Sequence, residues 1–312
     1  MGALSRREFR TGFYERADMD ERSAPKVSVI MSIYNQWNSE YLDQAIMSIL
    51  NQTFGDFEFI IYDDGSDPLI CRLLEKYKQL DNRVVLIHSA ENCGLAYSLN
   101  TCINVAKGKY LARMDDDDIS DPERLAVQYK YMEEHPEIAY AGCNARLIDA
   151  EGVWGHRVMP EFPLKHSFLR YSPFIHPSVM IRRSIFDTQE AYRHSKDTWR
   201  CEDYELFMRL MRLGYRGANI QQELFGYRED AASYRKRKFR YRMDEMKLRY
   251  RNFKELDMLY PAGWLYVIRP LAAAAVPSGL TYMAKKLYHR QSRVREKNRE
   301  EVLAVSGTAS SV

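Results

Sequence analysis

The amino-acid sequence predicts an α/β fold, with a mainly parallel sheet flanked by helices on both faces and a basic, amphipathic helical extension after it. Three observations carry this expectation. From residue 26 onward, short β-branched runs alternate with stretches whose apolar residues recur every three to four positions. Asp-rich polar segments follow the runs. Charge also divides along the chain: residues 1–227 hold 27 Lys+Arg against 34 Asp+Glu, whereas residues 228–312 hold 19 against 9. Strand–helix alternation buries a sheet on both sides and favours parallel strands. The charge asymmetry sets an acidic body against a basic tail.

The elements follow in order. Val27 to Met31 is a strand-like run, and Leu42, Ala45, Ile46, Ile49 and Leu50 have helical spacing. Phe57 to Tyr62 reads as a second strand, followed by a helix through Leu73, Leu74 and Tyr77. Val84 to Ile87 is a third strand, and a helix spans about Leu95 to Ala106. Tyr110 to Met114 is a fourth strand, after which Pro122 is expected to open a helix at a permitted N-terminal position. The expected organisation is a loose segment over 1–24, an α/β domain over 25–230, a helical extension over 231–290 and a loose tail over 291–312.

With 312 residues, 46% hydrophobic and 29% charged, the chain has globular composition, which excludes collagen-like, disordered and multi-span membrane classes. Its five cysteines are odd in number and lack a CxxC pair, so they read as small core residues in a reducing compartment. The N-terminal residues lack the apolar core of a signal peptide, and a cytoplasmic location is expected.

The polar residues fall at strand ends: Ser32 to Asn35, Asp63 to Asp67, and Asp115 to Asp118. Ligands of open parallel sheets bind beyond the carboxyl ends of the strands. Asp and Gly after a strand also serve as turn formers, which explains Asp63 to Asp67 equally well. Four consecutive aspartates are harder to explain that way, because like charges a few ångströms apart repel. A hard divalent ion, Mg²⁺ or Mn²⁺, relieves the repulsion and pairs naturally with substrate phosphates. The chain has no GxGxxG, no GxxxxGK[ST] and no kinase signature, so the phosphates would be neutralised mainly at this cluster.

The stretches VSVIMSIYNQ, YLDQAIMSILNQTFGDFEFIIYDDGSD, ENCGLAYSLN and GKYLARMDDDDISDPERLAVQ closely resemble family 2 glycosyltransferases, over roughly residues 26–230. The resemblance implies a GT-A type, Rossmann-like fold and inverting transfer from a nucleotide-diphospho-sugar, with a UDP-sugar as donor. It implies that Asp115, Asp116 and Asp117 form the DxD motif, with Asp117 and Asp115 on the metal and Asp115 and Asp116 toward ribose and phosphates. Ser32, Tyr34 and Asp64 would line the base pocket. Asn92 would touch the donor, and Arg113 is placed either for a phosphate contact or as an ion-pair partner. The Glu202-Asp203 pair reads from the residues alone as a helix cap. The resemblance makes it the catalytic pair, with Asp203 as base, and a helix N-terminus is expected to keep Asp203 ionised. His176 reads as a structural histidine, with a role near the acceptor or donor as the alternative. Many family members carry a YRxHxxS segment, whereas residues 227–233 here read YREDAAS without the His, leaving the remaining metal ligand unassigned. The QxxRW motif of processive members is absent, which favours a single sugar addition. The rival classes are a sugar-1-phosphate nucleotidyltransferase, which needs a Gly- and Arg-rich loop after the first strand, and a non-catalytic sugar-nucleotide scaffold.

In the extension, Arg235, Lys236, Arg237 and Lys238 precede an aromatic-rich helical stretch and the apolar run from Tyr260 to Leu271, then Val276 and Pro277. Arg269 and the prolines disfavour a spanning helix, which needs about 20 apolar residues. Trp264 and Tyr266 with basic flanks fit an interfacial helix on an anionic leaflet, placing the protein peripherally at the inner face of the membrane. Packing on the body or forming a homodimer is the alternative. No nucleic-acid module is recognisable. The acceptor would be a glycan or a lipid-linked saccharide in surface polysaccharide assembly.

Overall fold

The computed structural model describes residues 24–230, 239–274 and 282–288. The expectations for 1–23, for Arg235 to Lys238, for Val276 and Pro277 and for 291–312 lie outside the described residues. Elements run β1 (Val27–Ile33), α1 (Ser39–Leu50), β2 (Phe57–Asp63), α2 (Pro68–Leu80), β3 (Val84–His88), α3 (Leu95–Val105), β4 (Tyr110–Met114), β5 (Ile119–Ser120) and α4 (Arg124–Glu134). They continue with β6 (Ile138–Asp149), β7 (Gly152–Arg157), β8 (Met180–Arg182), α5 (Glu202–Arg212), β9 (Arg216–Arg228), α6 (Phe239–Glu255) and α7 (Pro261–Ala274).

The sheet has the order β3-β2-β1-β4-β8-β6-β9-β5, with β7 beside β6. The expected parallel half, β3-β2-β1-β4, is present. Beyond it β8 runs antiparallel to both β4 and β6, so the far half is mixed. Strand β1 shows why the parallel half forms. Val27, Val29, Met31 and Ile33 point into one core with α1, α2 and α4, and Ile30 points into the other with α3, α5 and α6. Both faces are buried, so every side chain in the run is apolar or small. Helix α2 starts where the Asp67 carboxylate accepts the Leu69 N–H at 2.9 Å, with Pro68 at its first position. Helix α4 begins at Arg124 rather than at Pro122, because Pro122 is spent in a turn whose carbonyl accepts the Thr53 N–H at 2.9 Å.

The extension packs on the body. From α6, Leu248 and Phe253 are buried among Phe168, Tyr204 and Phe207. Arg249 stands 4.9 Å over the Tyr204 ring and donates to the Leu169 carbonyl at 2.8 Å. Within 282–288, Lys285 pairs with Glu229 at 2.6 Å and Lys286 with Asp149 at 2.9 Å. Helix α7 buries Val267 yet leaves Trp264, Leu265 and Ile268 at 48%, 65% and 50% exposure. No helix among the described residues is long and apolar enough to cross a membrane.

Candidate active site

Strand register delivers the polar residues to one rim. Ile33 lies beside Asp63, Asp63 beside His88, and Met31 beside Met114, so the strands of the parallel half end together. The loops beyond them are tied to each other. Asn35 donates its N–H to the Ser66 hydroxyl at 3.0 Å, and its side-chain oxygen accepts the Asp67 N–H at 2.8 Å. Asp64 is buried, and its two carboxylate oxygens accept the N–H groups of Cys93 and Gly94, each at 2.8 Å. Gly65, at φ +75°, lets the 91–92 backbone approach so closely that a Cβ there would lie 2.6 Å from the Glu91 carbonyl carbon. Of the residues expected to meet the donor, Ser32 is half-buried and Tyr34 and Asn92 are exposed. Asp64 holds the loop that carries Asn92, a role the sequence does not announce.

At the end of β4, Asp115, Asp117 and Asp118 each offer a carboxylate oxygen, all within 4.8 Å of one another. Asp118 is buried; its Oδ1 accepts the Arg228 N–H at 2.6 Å, while its Oδ2 has no hydrogen-bond partner among the described residues. Burial, with the charges of Asp117 and Asp115, pushes the Asp118 carboxyl well above the usual range. The same causes push Asp116 up to about 8, against a hydrogen bond from Gln36. A three-carboxylate oxygen donor set with an orphaned buried oxygen suits a hard cation such as Mg²⁺ or Mn²⁺. The expected metal pair, Asp115 and Asp117, is therefore joined by Asp118, and Asp116 stands outside the trio. Arg228, in the segment that lacks the His, reaches back to this trio. Its Nε donates to the Asp117 carbonyl at 2.5 Å, and its guanidinium stacks 3.7 Å over Tyr41.

Arg113 lies one layer below, 2% exposed, with Nη2 on Asp115 Oδ1 at 2.5 Å and no partner for Nε or Nη1 among the described residues. Burial opposes its charge, but Asp115 and its neighbours hold the guanidinium protonated. The His176–Ser178 turn is fixed beside it. Arg124 donates to the carbonyls of Arg113 and Pro177 at 2.9 and 3.2 Å, and Gln128 donates to that of Ser178 at 2.7 Å. His176 Nε2 meets the Tyr192 hydroxyl at 2.7 Å, and burial, with Arg113 nearby, lowers its pKa well below 6.5.

Tyr192 links the two halves of the site: burial raises its pKa, and its hydroxyl lies in the fields of Arg113, Asp203, Asp115 and Glu202. Glu202 and Asp203 form the first turn of α5, as expected. The helix end is not the largest influence on the Asp203 pKa. Burial outweighs the backbone N–H groups of Tyr204 and Asp203 and raises its pKa, and burial does the same to Glu202. Sequence reasoning missed Asp118, Arg228, Tyr192 and Arg157, whose guanidinium sits 5.5 Å over Tyr227 and acts on Asp203. Asp118 was legible as the fourth residue of the acidic run. Tyr192 carries no signal, lying in an irregular stretch.

The half-parallel, half-mixed α/β sheet thus carries an acidic trio beyond the carboxyl end of β4 and a carboxylate pair in the first turn of α5. Residues 28–189 match the glycosyl transferase family 2, and the chain belongs to that family and is a glycosyltransferase. It is 35% identical over 276 residues to the proposed glycosyltransferase EpsE of Bacillus subtilis, covering 88% of this chain and 97% of the relative. It is 34% identical over 217 residues to the O-antigen biosynthesis glycosyltransferase WbnJ of Escherichia coli, covering 67% of this chain and 82% of the relative. Among solved structures, S. aureus TarS 1-349 in complex with UDP-GlcNAc matches with a TM-score of 0.59 at 18% identity, over 80% of this chain and 71% of that one. The mannosyltransferase PcManGT of Pyrobaculum calidifontis, in complex with GDP-Man and Mn²⁺, matches with a TM-score of 0.56 at 16% identity, over 92% of this chain and 87% of that one. These structural likenesses establish the GT-A fold.

Proposed function

We propose that the chain transfers one sugar, with inversion, from a UDP-sugar to a hydroxyl of a glycan or lipid-linked saccharide during surface polysaccharide assembly. The observation that carries this reading is the Asp115–Asp117–Asp118 trio of carboxylate oxygens within 4.8 Å of one another, with Tyr192 near enough to Asp115 and to Asp203 for the charges of both to act on it. Asp203 takes the proton of the acceptor hydroxyl as it attacks the anomeric carbon, a step worth about 10²–10⁴-fold. Its burial-raised pKa suits a base that must accept that proton. Glu202 adjoins it. Asp115, Asp117 and Asp118 would hold Mn²⁺ or Mg²⁺, which when bound offsets charge on the departing diphosphate as a Lewis acid. Arg113 anchors Asp115 and contributes positive charge beneath the phosphates, and Asp116 lies toward the ribose. Ser32, Tyr34, Asp64 and Asn92 form the base and donor wall. The WbnJ name supports the polysaccharide context, and the donors bound to TarS and PcManGT support a nucleotide-sugar.

The exposed face of α7 supports peripheral docking on the inner, anionic face of the membrane, where lipid-linked acceptors reside. A screen of UDP- and GDP-sugars for Mn²⁺-dependent hydrolysis and thermal stabilisation tests the reading. Stabilisation by one UDP-sugar with metal is expected; indifference to every nucleotide-sugar in the presence of metal overturns it.

A further inference from the structure

We infer that Asp63, Cys71 and His88 form a second cation site, selective for Zn²⁺, beneath the loop that follows β2. The three residues come from β2, α2 and β3, and their donor atoms lie within 4.8 Å of one another. Asp63 Oδ2 is 2.8 Å from His88 Nδ1 and 3.1 Å from Cys71 Sγ. Bound at Zn–O and Zn–N distances of about 2.0 Å and Zn–S of about 2.3 Å, tetrahedral ligands lie roughly 3.3–3.6 Å apart. The existing contacts need to open by only about half an ångström to admit the ion.

The second observation is on the far side of the imidazole. His88 Nε2 faces Glu75 Oε1 at 3.2 Å, so both ring nitrogens meet carboxylates. A neutral imidazole has one N–H and can satisfy only one of them; the other contact demands either an imidazolium or a cation between nitrogen and carboxylate. Exchanging the two ring nitrogens leaves this argument unchanged. A ligating histidine typically gives its other N–H to a carboxylate, which is the place Glu75 occupies.

The donor set decides the metal. Sulfur, nitrogen and oxygen together favour Zn²⁺, whereas the all-oxygen trio at Asp115, Asp117 and Asp118 favours Mg²⁺ or Mn²⁺. Binding releases the Cys71 thiol proton to solvent, and thiolate plus carboxylate then neutralise the ion. Asp63 is 1% exposed, and a bound cation would replace Cys71 and His88 as the direct partner of its Oδ2. The His88 side chain, 35% exposed, leaves an entry path. Asp63 Oδ1 meanwhile holds the Ser66 N–H at 3.0 Å, so the ion would staple α2 and β3 to the base of the 63–67 loop.

The test uses the full chain, stripped of metal by a chelator and titrated with Co²⁺, then with Zn²⁺. A thiolate-to-cobalt charge-transfer band reaching its limit at one equivalent is expected in the parent, in Asp117→Ala and in Cys93→Ser. It should vanish in Cys71→Ser and bleach when Zn²⁺ displaces Co²⁺. Glu75→Gln should weaken the site about 10-fold or more while keeping the band. Zn²⁺ should raise the melting temperature of the parent and not that of Cys71→Ser. Absence of the band in the parent, or its persistence in Cys71→Ser, overturns the site.

Discussion

Replacing Gly65 by alanine tests the assembly of the donor rim with a magnitude that the structure supplies. Gly65 has φ +75°, and a Cβ would stand 2.6 Å from the Glu91 carbonyl carbon and 2.9 Å from the Asn92 nitrogen. Ordinary contact begins near 3.4 Å, so the 91–92 backbone must retreat by about 0.8 Å. The left-handed backbone itself costs an L-residue about 1–2 kcal/mol, and overpacking adds about 1–3 kcal/mol. The retreat also strains the pair of N–H bonds from Cys93 and Gly94 to Asp64. A loss of about 2–5 kcal/mol is expected, a fall in melting temperature on the order of 5–15 °C for a domain of this size. Donor KM should rise more than kcat falls, because the damage is to the binding wall. Two alanine controls separate the causes. Gly152, at φ +112° with open space around its Cβ, should show only the conformational cost. Gly55, with open space and no positive φ, should change stability by less than about 1 kcal/mol. Scanning calorimetry and donor kinetics on the four proteins decide it. If Gly65→Ala melts with Gly55→Ala and keeps its donor KM, the close approach of the two loops is wrong.

Further expectations concern the chemistry and the extension. Asp117→Ala should abolish the metal-dependent stabilisation of the protein by UDP; calorimetry showing parent-like binding of UDP with Mn²⁺ would refute that assignment. Asp203→Asn should lower kcat about 10²–10⁴-fold with donor binding nearly intact, and activity within tenfold of the parent would remove Asp203 as base. Because burial raises the Asp203 pKa and the base acts deprotonated, kcat should rise with pH along an acidic limb lying above the ordinary aspartate value of about 3.9. A kcat profile flat down to that value contradicts this. Leu265→Glu with Ile268→Glu, which leaves buried Val267 untouched, should abolish co-sedimentation with anionic liposomes at low salt and leave donor hydrolysis unchanged. Sedimentation equal to the parent's would assign α7 a role other than membrane contact. Deleting the whole extension is a poorer test, because α6 covers Tyr204 and Phe207.

The sequence by itself determined the elements of the parallel half and the residues at its rim. The reason is local: β-branched runs buried on both faces, apolar helical spacing, and Asp, Asn and Gly where strands must turn all act within a few residues. β1 to β4 and the aspartates at 63–67 and 115–118 were legible on those grounds. Glu202 and Asp203 were different, since their residues alone read as a cap and only likeness to a family gave them chemistry. Tertiary structure decided which carboxylates meet. Asp118 joins the trio because β9 pairs with β5 and brings the Arg228 N–H to it, and Tyr192 joins Asp203 to Asp115 from an irregular stretch without periodicity. It also decided the direction in which the Asp203 pKa moves, because a helix end is visible in sequence whereas burial depends on what α5 packs against. The extension followed the same division. Its charge and apolar content were readable, but whether those residues face lipid or the body depends on contacts with Phe168, Tyr204 and Glu229, far away in the chain. The Asp63, Cys71 and His88 grouping has no spacing motif at all; only the parallel register of β2 and β3 under α2 makes them neighbours.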